Sequence, residues 1–124
     1  GWRSGLEGKV AAQLDQANIS YDYEGEKIEY TKPSRIHKYT PDFPLITRTS
    51  QSKIYVETKG RFMVADRQKH MLIKKQRPEL DIRFVFSNPN QRISKTSKTT
   101  YAAWCEKNGF LYAKAYIPES WLNE

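Results

Sequence analysis

The chain has 124 residues, enough for one hydrophobic core but not for two, so residues 1–124 are expected to form one domain with no separate regulatory unit. Twenty-one Lys and Arg against 14 Asp and Glu give a formal charge of +7, which suits a polyanionic partner, although basicity alone does not establish nucleic-acid binding. A single cysteine, Cys105, excludes an internal disulfide and suits a reducing cytoplasm, and the absence of any run of about 18 apolar residues argues against a membrane span.

Ser4 followed three residues later by Glu7 is a capping-box pattern, and Leu6, Val10, Leu14 and Ala17 recur at helical spacing, which predicts a first helix over residues 5–17. Glu7 then has a purely structural reading as the reciprocal cap. Residues 20–24 and 27–31 alternate as half-exposed strands around a Glu24-Gly25-Glu26 turn, and Lys32-Pro33-Ser34 breaks the run. Strands over 35–42 and 53–59 follow, the first ended by Phe43-Pro44, the second left by a sharp exit at Gly60. Residues 63–77 read as a second helix with Met63, Met71 and Ile73 among its apolar positions, bounded by Pro78. Residues 81–86 form a short apolar strand of the kind that occupies a sheet interior, closed by Ser87-Asn88-Pro89-Asn90. Thr100 caps a third helix over 101–107, Asn108-Gly109 ends it, and residues 110–113 offer a further strand. Cys105 reads as a buried helix thiol, and Trp104, Tyr112, Tyr116 and Trp121 as packing residues.

Chemistry concentrates in Tyr39-Thr40-Pro41-Asp42-Phe43 and Ile54-Tyr55-Val56-Glu57-Thr58-Lys59-Gly60. On a strand, Glu57 and Lys59 share one face while Ile54, Val56 and Thr58 turn the other way, towards a core. A hairpin would set Asp42 beside Glu57, and the resulting pair of carboxylates with one ammonium is a site for a hard divalent cation, Mg2+ or Mn2+. Hydrolysis of a phosphodiester needs such a cation, a water of lowered pKa and a fixed in-line geometry. Asp42 and Glu57 would be the side-chain ligands and the Thr58 carbonyl a third, with Lys59 orienting the attacking water or stabilising developing charge. Taken alone, Glu and Lys on the wet face of a strand are also ordinary sheet chemistry.

The order Pro-Asp, fourteen residues, then Glu-x-Lys resembles the signature of the PD-(D/E)xK nuclease superfamily. More specifically, Arg3-Ser4-Gly5-Leu6-Glu7, Tyr39-Thr40-Pro41-Asp42-Phe43 and Val56-Glu57-Thr58-Lys59-Gly60 resemble the three motifs of the bacteriophage endonuclease I family of Holliday-junction resolvases. Arg67-Gln68-Lys69-His70-Met71-Leu72-Ile73, Pro78-Glu79-Leu80-Asp81-Ile82-Arg83, Trp104-Cys105-Glu106-Lys107-Asn108-Gly109 and Ile117-Pro118-Glu119-Ser120-Trp121 extend the likeness over nearly the whole chain. It implies an α/β, restriction-endonuclease-like αβββαβ core with a mixed central sheet flanked by helices, and it places catalytic roles on Glu7, Asp42, Glu57 and Lys59. Asp42, Glu57, Thr58 and Glu7 would form the metal set. The loop from Pro44 to Lys53 is longer than the family pattern, and the basic segments expected at either end are not in this sequence, which implies weaker accessory DNA contacts.

The resemblance further implies branched DNA, especially four-way junctions, as partner, and a domain-swapped homodimer in which Glu7 acts in trans and a segment around 27–38 crosses between subunits. A junction has two-fold pseudo-symmetry, so two matched nicks need two sites at fixed separation. Candidate DNA contacts are Arg3 and Ser4, then Arg67, Lys69, His70, Lys74, Lys75 and Arg77 on the second helix, and Arg92, Lys95 and Lys98 in the loop of 91–100. The same residues also fit a plain solvated helix face and an exposed loop. His37 and His70 are read as surface or hydrogen-bonding residues rather than metal ligands. A host-cell cytoplasmic location and no membrane partner are expected. Rival readings are a transposon-end or restriction-type endonuclease on the same core, and a non-catalytic DNA-binding module.

Overall fold

Ser4 accepts a hydrogen bond from the Glu7 N–H at 3.1 Å and opens helix α1 (Gly5–Gln16), which buries Val10, Ala11 and Leu14 along one face. The structure is a computed structural model and describes residues 2–32 and 35–124. Strands β1 (Ile28–Lys32) and β2 (Arg35–Tyr39) form an antiparallel two-stranded ribbon, followed by β3 (Phe43–Ile46) and β4 (Lys53–Lys59). Helix α2 (Val64–Gln76), strand β5 (Ile82–Phe86), helix α3 (Tyr101–Asn108), strand β6 (Tyr112–Lys114) and the single turn α4 (Glu119–Leu122) complete the chain. The break expected at Lys32-Pro33-Ser34 and the centre of the expected crossing segment lie outside the described residues.

The main sheet runs β3-β4-β5-β6, antiparallel between β3 and β4 and parallel thereafter, a mixed four-stranded sheet as expected. Its two faces sort the strand residues by parity. Phe43, Leu45, Ile54, Val56 and Val85 pack on Val10 and Leu14 of α1 and on Trp121 and Leu122 of α4. Tyr55, Ile82, Phe84 and Phe86 face Ile73 of α2 and Tyr101 and Cys105 of α3. The result is three layers, helix on sheet on helix.

Several expectations need correction. Four strands precede α2, but only β3 and β4 join the main sheet, because β1 and β2 pair with each other and not with it. Residues 20–24 contribute one bridge, Tyr21 to Leu45, rather than a strand. The strand expected over 35–42 stops at Tyr39, and Phe43-Pro44 begins a new strand instead of ending one. Pro44 is tolerated there because β3 is an edge strand, where a missing N–H costs no ladder bond. Both faces of β4 are covered, with residues 54–58 all buried, so Glu57 is not on a wet face. On α2, Met63 and Met71 are 55% and 38% exposed, and the buried positions are His70 and Ile73. Where sequence expectation and structure agree, caps explain it: the Thr100 hydroxyl accepts from the Ala103 N–H at 3.0 Å, and Gly109 ends α3 in the left-handed region at φ 76°.

Candidate active site

Continuing the register in which Phe43 faces Val56 sets Asp42 opposite Glu57, at the end of β4. Asp42 is 2% exposed, and its Oδ2 accepts from the Thr58 N–H at 3.0 Å and the Thr58 hydroxyl at 2.9 Å. Burial raises its pKa, the two Thr58 donors oppose that, and the nearby Glu7 adds to it, leaving the carboxyl above its ordinary 3.8. Glu57 is 4% exposed and accepts from the Tyr39 hydroxyl through Oε2, while Lys59 Nζ stands 4.0 Å from Oε1. Burial, and then the charge of Asp42, push the Glu57 carboxyl up to about 8. Two acids in a dry pocket cannot both ionise cheaply without a cation.

Glu7 completes the expected carboxylates, but not as a reciprocal cap. Its Oε1 accepts from the Ser4 hydroxyl at 3.2 Å, and its Oε2 accepts from the Tyr23 hydroxyl. One oxygen each from Glu7, Glu24 and Asp42 lie within 4.8 Å of one another. Glu24 was not anticipated as a site residue: its φ of 51° and its N–H bond to the Asp42 carbonyl at 3.0 Å fold it back along the β3 edge. The only trace in the sequence is the turn pattern Glu24-Gly25-Glu26. Arg3 reaches the same group, with Nη2 2.6 Å from Glu24 Oε2 and 3.6 Å from Asp42 Oδ1. An all-oxygen set of carboxylates, without sulfur or imidazole, fits a hard divalent cation. Glu7, Glu24 and Asp42 are the residues gathered closely enough to hold one; Glu57, also expected as a ligand, faces Asp42 across the register but lies outside that 4.8 Å group.

Lys59 is half-buried and shared. Besides Glu57, its ammonium donates to Asp66 Oδ1 at 3.3 Å, and Asp66 Oδ2 in turn accepts from the Met63 N–H at the start of α2. That link ties the lysine to a helix terminus and fixes its direction, a role for Asp66 not read from the sequence. Lys69 turns inward as well, its Nζ 5.4 Å from the centre of the Tyr39 ring; burial and the charge of Lys59 lower its pKa.

The remaining DNA candidates separate. Ser4 is used as the α1 cap and Arg3 as a counter-ion to Glu24 and Asp42. His70 is corrected outright: fully buried among the rings of Tyr39, Phe84 and Phe110, it cannot touch a phosphate, and burial holds its pKa well below 6.5. Neither of its ring nitrogens has a hydrogen-bond partner among the described residues. Arg67 donates to the Phe62 carbonyl at 2.6 Å and Lys74 to the Gly109 carbonyl at 3.2 Å, while Lys75 is exposed. Arg67, Lys69, Lys74 and Lys75 line a groove of about 1030 Å³ that runs from Lys32 to Trp104. Arg92 and Lys95 meet Arg61, two residues past Lys59, around a hollow of about 460 Å³; Lys98 is exposed on the same loop.

The chain thus presents a mixed four-stranded sheet flanked by helices, with Asp42 and the Glu57-x-Lys59 pair at the ends of adjoining strands and Glu7 delivered by the first helix. Residues 1–124 match the family described as Phage endonuclease I, and the chain belongs to that family. It is 46% identical over 123 residues to Endonuclease I of Escherichia phage T7, across 99% of this chain and 79% of that protein. It is 47% identical over 123 residues to Endodeoxyribonuclease 1 of Enterobacteria phage T3, across 99% of this chain and 78% of that one. No helix among the described residues is long and apolar enough to cross a membrane.

Proposed function

We propose that the protein is a Mg2+- or Mn2+-dependent endodeoxyribonuclease that resolves four-way (Holliday) junctions and other branched DNA by paired nicks, acting in the host cytoplasm as a homodimer; within this chain Glu7 lies beside its own Asp42, and domain swapping would make the same contact between subunits. The observation that carries this reading is the convergence of Glu7, Glu24 and Asp42 oxygens within 4.8 Å, next to the buried Glu57 and Lys59, in a chain whose relatives are named endonucleases.

Asp42, Glu57, Glu7 and the Thr58 carbonyl would hold the cation. When bound, it would neutralise charge on the scissile phosphate and lower the pKa of a water. The chain's own groups do the rest. Thr58 fixes Asp42 through two hydrogen bonds, so its free oxygen keeps one direction. Lys59, steadied by Asp66, supplies a positive charge that orients the attacking water or stabilises the charge that builds on the phosphate. Lys75, Arg92, Lys95 and Lys98 offer phosphate contacts without base-reading geometry, which gives shape recognition in place of sequence recognition.

The test is nicking of a four-way junction against linear duplex of the same sequence, with Mg2+ and with chelator. Fast, metal-dependent junction cleavage lost in Glu57→Ala is expected. Equal rates on the two substrates would remove structure selectivity. Cleavage of linear DNA at a defined sequence would favour a transposon-end or restriction-type enzyme, and binding without cleavage a DNA-binding module. Solution mass measured alongside tests the dimer.

A further inference from the structure

Both site glutamates carry the same device. Glu57 Oε2 accepts from the Tyr39 hydroxyl, and Glu7 Oε2 accepts from the Tyr23 hydroxyl. The two tyrosines come from different parts of the chain, Tyr39 from the end of β2 and Tyr23 from the loop that lies along β3. We propose that Tyr39 and Tyr23 are positioning residues for the metal site, each clamping one carboxylate oxygen so that its glutamate is held in a single orientation for the cation. This rests on the reading of Glu57 and Glu7 as metal ligands.

Packing alone does not call for either hydroxyl. Tyr39 is 2% exposed in an apolar cluster where a phenylalanine would fill the same space, and a hydroxyl in such a place is costly unless it is hydrogen-bonded. Its ring is fixed on two sides, by the His70 ring edge-on at 5.1 Å and 84° and by Lys69 Nζ at 5.4 Å from the centroid. A cation over the face of the ring draws electron density from it and makes the phenol a stronger donor. Tyr23 is held by Trp2, edge-on at 4.4 Å and 87°, and by Phe43 at 5.4 Å, the residue after Asp42. Each ring is thus packed against two neighbours, and each hydroxyl donates to a carboxylate the proposed reaction needs. A ligand whose outer partner is removed loses orientation while its chemistry stays the same.

The experiment titrates metal-free protein with Mn2+ by calorimetry, in wild type, Tyr39→Phe, Tyr23→Phe and Glu57→Gln, and in parallel follows cleavage of a junction as Mn2+ is raised. Loss of such an outer partner typically weakens metal binding about 10–100-fold. Tyr39→Phe and Tyr23→Phe are expected to bind Mn2+ at least about tenfold more weakly, to reach the wild-type cleavage rate at saturating Mn2+, and to bind DNA as wild type does. Binding within about twofold of wild type in both variants overturns the proposal. Should Tyr39→Phe fail to fold, Tyr23→Phe decides the matter, because Tyr23 is only half-buried and lies on a loop. Glu57→Gln separates the two levels. If it binds Mn2+ normally, the ligand reading fails; if it does not bind while both tyrosine variants do so normally, only the positioning role fails.

Discussion

Replacing Glu57 by Gln should stabilise the metal-free protein at alkaline pH while abolishing cleavage. Burial and Asp42 raise the Glu57 carboxyl from an ordinary 4.5 to about 8, so folding takes up a proton between those two values. The contribution of this group is fully present below about pH 4.5 and is lost as pH rises towards 8. At ~1.4 kcal/mol for each tenfold change in proton activity, the wild type loses about 3–4 kcal/mol from this one carboxyl between about pH 5 and pH 8. Gln carries no charge to bury and keeps a carbonyl that can accept from Tyr39. With about 3 °C per kcal/mol for a domain of this size, the variant's unfolding midpoint should pull ahead of the wild type's by roughly 10 °C over that range. Differential scanning calorimetry in chelator, at several pH values, reads the gap between the two proteins and cancels the titration of every other group they share. A gap that stays constant with pH would refute the reasoning, because it would mean that Glu57 does not change protonation within that window in the fold. Excess Mn2+ should reverse the order by stabilising the wild type alone.

His70→Met should flatten the acid limb of the stability curve. The buried imidazole stays neutral in the fold but takes a proton on unfolding below about pH 6.5, so the wild type weakens as pH falls through that value; equal acid midpoints for the two proteins would contradict this. Removing Lys75 and Lys95 together, both exposed, should cut the slope of log K against log salt for junction binding by about 2 and leave the cleavage rate of bound junction unchanged. An unchanged slope would place both residues off the path of the DNA.

The parts of this chain that could be read in the sequence are those governed by local rules. Helix α1 arises from the Ser4 cap and the spacing of Leu6, Val10 and Leu14, α3 from Thr100 and Gly109, and β4 from an alternating run whose ends match the expected 53–59. What escaped depends on tertiary contact. Met63 and Met71 look like core residues by hydropathy, yet α2 is rotated so that His70 and Ile73 point inward, and nothing local in the sequence fixes that angle. Pro44 reads as the end of a strand because its tolerance at an edge depends on which strand lies beside it. In the candidate site, the pairing of Asp42 with Glu57 and the nearness of Lys59 followed from spacing along the strands, while Glu7 entered through family resemblance. Glu24, Asp66, Tyr23 and Tyr39 were not, since each acts through a neighbour distant in sequence or through a turn that the sequence marks only as a turn.

The borders of the main sheet limit how two copies of this chain can meet. One border, β3, is occupied by the chain's own segment through the Tyr21–Leu45 bridge and the Asp22 and Glu24 N–H bonds to the Pro44 and Asp42 carbonyls. The other, β6, is three residues long, too short to template a neighbour. On the separate ribbon, the Gln76 side chain imitates a strand: its amide donates to the Thr31 carbonyl and accepts from the Thr31 N–H, both at 2.6 Å, which covers the Thr31 backbone on the outer side of β1. Among the described residues, the outer side of β2 has no such cover, so the strand exchange proposed above would meet the ribbon rather than the layer that carries the carboxylates.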